Sequence, residues 1–161
     1  MKNKQNLYFA CILIVSLLLL ALYVLMPSKN QLDNKLCIAT INYSLKENEH
    51  EFNYRITQRI RYTLNDKGYI NIRGVAALND EQYVIARTVN FSYRAVDNNH
   101  NYSSEITNVS KAGQDNLPDA LASQYISYLL PGSSTFFRME DINNHLTLIT
   151  APQGPLFICR Y

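Results

Sequence analysis

Leu7 to Met26 (LYFACILIVSLLLLALYVLM) is a run of twenty residues with no charged side chain and a single serine. As a helix rising about 1.5 Å per residue it would measure roughly 30 Å, the thickness of a bilayer's hydrocarbon core. Lys2 and Lys4 precede it, and Pro27 to Tyr161, of very different composition, follow it. The chain therefore divides into a stub (1–6), a transmembrane helix (7–26), a linker (27–34) and one domain (35–161). Short flanks rich in Lys and Arg stay in the cytoplasm, which places the N-terminus inside and the domain outside. A cleaved signal peptide normally has an apolar core of about 7–15 residues and a small-x-small cleavage site. The sequence VLMPSK supplies no such site, and Cys11 follows too few apolar residues to be a lipoprotein cysteine. The run reads as an uncleaved anchor.

All 13 acidic residues lie beyond the run, and removing Lys2 and Lys4 from the 15 basic residues leaves 13. The outer domain is formally neutral, a poor match for nucleic acid, whose binding rests on neutralising phosphates. Two of the three cysteines, Cys37 and Cys159, stand at the first and last elements of that domain. In an oxidising compartment such a pair reads as a disulfide, the alternative being two buried free thiols.

Alternation with a period of two dominates the domain, as in half-buried strands. Cys37, Ala39, Ile41, Tyr43 and Leu45 share one face. Phe52, Tyr54, Ile56, Ile60, Tyr62 and Leu64 share the next, interrupted by Gln58. Asn65 to Gly68 supplies a turn, with Gly68 available for a positive φ, and Ile70, Ile72, Gly74, Ala76 and Leu78 return. Tyr83, Ile85, Arg87, Val89, Phe91 and Tyr93 form a fourth strand and 102–109 a weaker fifth. One helix is predicted over 117–130, capped by Asp115 or Asn116 with Pro118 in its first turn. Strands near 134–140, 145–151 and 156–161 follow, with Pro152 to Pro155 as a turn. The predicted class is α+β: a single transmembrane helix, then a mostly antiparallel curved sheet or partial barrel with one packed helix.

No HExxH, CxxC, G-x-S-x-G, phosphate-loop or dinucleotide pattern occurs, so no catalytic residue, metal or cofactor is assigned and no enzymatic activity is expected. Arg87 lies on an apolar strand face, where a charge is costly unless paired. It reads either as an in-register arginine at a sheet edge or bonded to backbone carbonyls, or as a polar fixture inside a cavity or a partner interface. Arg55, Arg59, Arg61 and Arg73 line the exposed face of the 51–79 hairpin, a solvated face or a dock for an acidic partner.

The layout of stub, span and cysteine-closed domain resembles the MyfF/PsaF type of fimbrial regulatory accessory proteins. Leu36-Cys37, the Gly68 to Gly74 return, Arg87-x-x-x-Phe91-x-Tyr93 and Pro155-x-x-Ile158-Cys159 are similar to the FidL-like membrane proteins, and ToxS-type proteins share the layout. The resemblance implies a bacterial inner-membrane protein with a periplasmic domain. It also implies a partner: a single-span transcription regulator with a cytoplasmic winged-helix DNA-binding domain, which the accessory stabilises or activates in response to conditions such as acidity. A six-residue stub contacts no DNA specifically, so any effect on transcription passes through that partner, by pairing of exposed strand edges or through the span. For pH sensing the candidates are His50, His100 and His145, with His50 favoured because Glu47, Glu49 and Glu51 surround it. The alternative function is a periplasmic module that binds a small, bile-salt-like molecule in an enclosed cavity.

Overall fold

The segments with the clearest two-residue alternation form the longest ladders of the structure, a computed structural model that describes residues 12–20, 32, 34–47, 50–126 and 129–161. Residues 12–20 are helical (α1). Strands β1 (Leu36–Glu47), β2 (His50–Thr63), β3 (Lys67–Leu78), β4 (Glu81–Ala95) and β5 (Asn101–Lys111) follow, then helix α2 (Asp119–Tyr125) and strands β6 (Ser134–Asn143), β7 (Leu146–Ala151) and β8 (Gly154–Arg160). Each strand pairs antiparallel with the next, and β8 returns to β1, closing an eight-stranded barrel. The expected curved sheet or partial barrel is thus a fully closed barrel. Closure rests on Ile38 opposite Arg160 and on the Cys37–Cys159 disulfide, residues 122 apart, which no local pattern announces.

Inward residues fall on the expected phase. Phe52, Ile56, Ile60 and Tyr62 of β2, Ile72 and Ala76 of β3, and Ile85, Val89, Phe91 and Tyr93 of β4 are buried in one core. Edge-on contacts of Tyr62 with Phe91 and Tyr93 (ring centroids 5.8 and 5.2 Å) fill one part of it. Burial there pushes the Tyr62 phenol well up, with smaller contributions from Tyr161, Tyr93 and Tyr102. The turn after β2 corrects two expectations. Asn65 and Asp66 take the positive φ values, 63° and 56°, and Leu64 is 57% exposed as the chain leaves the sheet. Gly68 serves close approach instead: a Cβ there would meet Phe91 Cζ at 2.3 Å and the Arg61 carbonyl at 2.7 Å.

The barrel has two ends. At the entry end lie the start of β1, the turns 64–66, 96–100 and 144–145, and the end of β8. At the far end α2 covers the opening, with Tyr125 stacked on Phe52 at 4.1 Å. Leu117, Ala122, Ile126 and Leu129 are buried around it. The helix is shorter than the predicted 117–130 because Ile126 leaves helical geometry (φ −130°, ψ 73°), and residues 127 and 128 lie outside the described residues. Pro118 stands at its N-cap with no side-chain cap bond, so the expected capping by Asp115 or Asn116 does not occur. Pro155 lies in β8 rather than in a turn.

Of the expected span only 12–20 is described; the stub and the remainder of 7–26 lie outside the described residues. Among the described residues no helix is long and apolar enough to cross a membrane. Leu32, assigned to the linker, is buried in the barrel core.

Candidate functional site

Two strand edges carry the groups that set this barrel apart from a uniformly paired one. The first belongs to β4, which outruns β5: their ladder starts only at Arg87 opposite Lys111. Below that point the chain keeps β4 company by other means. The Ala112 N–H donates to the Ala86 carbonyl (2.8 Å), and the Asn116 N–H donates to the Val84 carbonyl (3.2 Å). Side chains supply the acceptors that a strand would otherwise provide. The Ala86 N–H donates to Asp115 Oδ2 (2.8 Å), and the Val84 N–H donates to Asn116 Oδ1 (2.6 Å).

Arg87 completes this seal. Its guanidinium donates from Nε to Asp115 Oδ2 (3.0 Å), from Nη2 to Asp115 Oδ1 (3.2 Å) and from Nη2 to the Leu117 carbonyl (2.7 Å). Nη1 lies 3.1 Å from Asp119 Oδ1, at the start of α2. Charge-assisted, forked bonding of this kind fixes geometry as well as sign. Arg87 is 4% exposed, so it is a buried pin for the 112–119 segment and offers no surface to a partner. Lys111 adds a contact to Asp119 at 3.0 Å, and this hydrogen bond, followed by the charges of Lys111 and Arg87, holds the Asp119 carboxyl below its ordinary value.

The second edge belongs to β1, at the seam with β8. Cys37 and Cys159, fully buried with Cα atoms 5.2 Å apart, bridge the seam, and beside them Ile38 faces Arg160 as the one ladder pair. β1 continues nine residues further, to Glu47. Which backbone groups it presents follows from register. The Tyr62 N–H donates to the Lys35 carbonyl (3.0 Å), and these two residues are directly opposite when the β1–β2 register is continued. In an antiparallel pair such bonded residues alternate with residues whose N–H and C=O point the other way. Thr40, Asn42 and Ser44 therefore aim their backbone groups at the seam, where β8 still runs alongside, back to Gly154, but no further ladder pair forms.

The outer face beside this edge is cationic and apolar. Ile38 has Arg59 opposite it on β2 and Arg160 opposite it on β8, and Leu36 faces Arg61. Arg61 Nη1 donates to the Asn34 carbonyl (3.2 Å) and Arg55 Nε to Asn42 Oδ1 (2.8 Å). Arg73 sits opposite Thr57, one strand further. The hairpin arginines therefore share one outer face, as the sequence implied, whereas the three histidines are not brought together. His50 pairs in register with Glu47 at the far end, while His100 (φ 60°) and His145 are exposed on two entry-end turns. Inside the barrel Gln58 is 2% exposed, and its Nε2 meets no acceptor among the described residues. No cluster of three or more His, Cys, Asp or Glu that could hold a metal occurs among those residues.

Sequence reasoning missed Asp115, Asn116 and Asp119 as partners of β4. An Asx pair before a proline signals a helix cap and an edge seal equally well, because both use a short side-chain oxygen to accept an orphan N–H.

Comparison with known families finds that the model described as FidL-like putative membrane protein matches residues 74–159, just over half of the 161, from the middle of β3 to Cys159. A comparison with curated proteins finds no match.

Proposed function

Since the chain belongs to the FidL-like family of membrane proteins, we propose that it is a membrane-anchored accessory protein whose barrel docks on a second membrane protein outside the cytoplasm. The observation that carries this reading is the β1 edge, where Thr40, Asn42 and Ser44 direct backbone donors and acceptors past the last β8 pair. An unpaired edge is a template for a strand from another chain. The partner is a single-span transcription regulator with a winged-helix DNA-binding domain on the other side of the inner membrane, the class that the resemblance to MyfF/PsaF-type and ToxS-type proteins implies. Leu7 to Met26 is the anchor, and the barrel occupies the periplasm. Confinement to one membrane raises the effective concentration of the two domains, so a modest interface suffices. The role is regulatory and not enzymatic.

Acidity is the proposed signal, read by His50, His100 and His145, because imidazole gains charge between about pH 5 and 8. Affinity purification of the full chain from membranes tests the partnership. A single-span regulator that co-purifies, and that is degraded or inactive when this protein is deleted, is the expected outcome; a regulator of unchanged level and activity overturns it. A His50→Gln variant that leaves the pH dependence of that regulator unchanged removes His50 from the sensor.

One observation favours the alternative of a small-molecule site: Gln58 Nε2, buried in the barrel interior, meets no acceptor among the described residues. Under that reading deoxycholate raises the melting temperature of the protein and of Gln58→Leu differently. Equal shifts reject it.

A further inference from the structure

The turns at the two ends of the barrel differ in chemistry. At the far end, the β3–β4 turn is Asn79-Asp80 and the β7–β8 turn Pro152-Gln153, all exposed and without a large apolar side chain. At the entry end the turn residues Leu64 and Val96 are 57% and 54% exposed, and Ile142, at the bulged end of β6 two residues before the 144–145 turn, is 54% exposed. Tyr43, Val75, Val84 and Phe136 are exposed apolar residues on strand faces, and Leu130, 39% exposed, lies in the loop before β6. Two turns and the adjoining end of β6 present apolar tips at one end and form a rim, which scattered surface hydrophobics do not explain.

The rim is also basic. Lys35, Arg61, Lys67, Arg94 and Arg160 lie at this end against Asp66, Asp97 and Asp141, while Arg138 is matched by Glu140 at 3.3 Å. Asp97 accepts from the Asn101 side chain and from the Asn99 N–H, and Asp141 accepts from the Thr147 hydroxyl at 2.6 Å.

The chain's own connectivity says what faces this rim. Leu32 is packed in the core, 2% exposed, and stands only six positions after Met26, the last of the apolar run. Fully extended, six residues reach about 20 Å, less than a barrel length from the bilayer. A surface with apolar tips among cations, held at that distance, matches the interface of an anionic bilayer, where the tips enter the headgroup layer and the cations meet lipid phosphates. We propose that the entry end of the barrel is a membrane-contact rim, in which Leu64, Val96 and Ile142 insert while Lys67, Arg94 and Arg160 bind anionic phospholipid headgroups. The rim fixes the barrel's tilt and leaves the β1 edge facing sideways, along the membrane plane. This rests on Leu7 to Met26 being a membrane span.

The chain contains no tryptophan, so single reporters are unambiguous. Full-length Leu64→Trp, Asp80→Trp and Val15→Trp variants are reconstituted in vesicles of phosphatidylethanolamine and phosphatidylglycerol containing brominated lipid, and in vesicles of phosphatidylcholine with the same quencher. The expected result is a blue-shifted, strongly quenched emission from Leu64→Trp in the anionic vesicles and an unquenched emission from Asp80→Trp. Adding Arg94→Glu and Arg160→Glu to Leu64→Trp is expected to remove most of that quenching in anionic vesicles. Emission from Leu64→Trp as unquenched as from Asp80→Trp, with Val15→Trp quenched, overturns the rim while leaving the anchor intact. Failure of Val15→Trp to be quenched overturns the anchor, and the rim with it. Quenching of Leu64→Trp that is equal in both vesicle types and indifferent to the two Arg→Glu changes overturns the headgroup assignment.

Discussion

The barrel treats two incompletely laddered strands in opposite ways. β4 extends past β5, and its exposed edge is closed by Asp115 and Asn116, whose side chains accept the Ala86 and Val84 N–H groups. β1 extends past its last β8 pair, and no side chain among the described residues bonds the backbone groups of Thr40, Asn42 or Ser44 as Asp115 and Asn116 bond those of β4. A strand edge is an aggregation and pairing hazard that proteins ordinarily cover. A chain that seals one edge with a buried ion pair has the means to seal the other. Under the proposed reading, the contrast makes the β1 edge the docking strand and the β4 edge structural.

The largest effect is expected where the sealed edge is broken. Asp115→Ala leaves the Arg87 guanidinium buried without its main counter-charge and the Ala86 N–H without an acceptor. Removing one partner of a buried pair costs about 3–5 kcal/mol. Chemical denaturation of the full chain in detergent should show that loss, whereas a change under about 1 kcal/mol would mean that the pin is dispensable. The same substitution should leave partner binding by the surviving folded protein unchanged, since the β1 edge is elsewhere.

The seam comes next. Replacing Cys37 and Cys159 together by alanine removes a cross-link between residues 122 apart. Loss of a native disulfide typically costs about 2–5 kcal/mol, much of it through the freed unfolded chain. Because Ile38 and Arg160 form the one ladder pair beside it, hydrogen exchange should rise first at β1 and β8 and only later at β2–β4.

These two regions also show how far the sequence could be read. The phase of β2, β3 and β4 was legible because alternation is local and a slip of one residue would turn every apolar side chain outward. The disulfide was legible from compartment and count. Closure was not, since it depends on a pairing between the two ends of the domain. Nor was the β4 seal: Arg87 stood out as a costly charge, yet its partner lies 28 residues downstream in a stretch that reads as a helix cap. Leu64 followed the β2 alternation but fell one residue beyond the strand, where Asn65 and Asp66 already turn left-handed.

Acid should act on the sealed edge only weakly and late. Lys111, then Arg87, holds the Asp119 carboxyl below its ordinary value of 3.8. A carboxylate whose folded pKa is depressed contributes stability that is present above its unfolded pKa and lost as pH falls through the folded one. Asp119 therefore stays charged at pH 5 to 7. Its side chain is 77% exposed, so screening keeps the contribution small, within about 1 kcal/mol. Asp119→Asn should leave the pH dependence of melting unchanged between pH 5 and 7 and flatten it only below about pH 4. A response to mild acidity that vanished in this variant would instead locate the sensor at the sealed edge.

The smallest effect on stability, and the sharpest test of the contrast, is expected from Ser44→Pro. Proline removes a backbone donor and is tolerated in a strand where that donor faces away from the ladder. By register the Ser44 N–H points toward the seam and not toward β2, and its exposed side chain takes part in no hydrogen bond among the described residues. The change should shift stability by less than about 1 kcal/mol, the cost of moving φ toward −65°. Partner capture, in contrast, should fall steeply, because a docking strand loses a donor at the middle of the free edge. The control is Asn53→Pro on β2. There the continued register pairs Glu51 with Asn79, and Asn53 shares that alternation, so its N–H lies within the β2–β3 ladder. Unfolding by Asn53→Pro with normal folding and lost capture by Ser44→Pro would show that β1 is held open for a strand from another chain. Normal capture by Ser44→Pro would move the partner surface off this edge, toward the face that carries Arg55, Arg59 and Arg61.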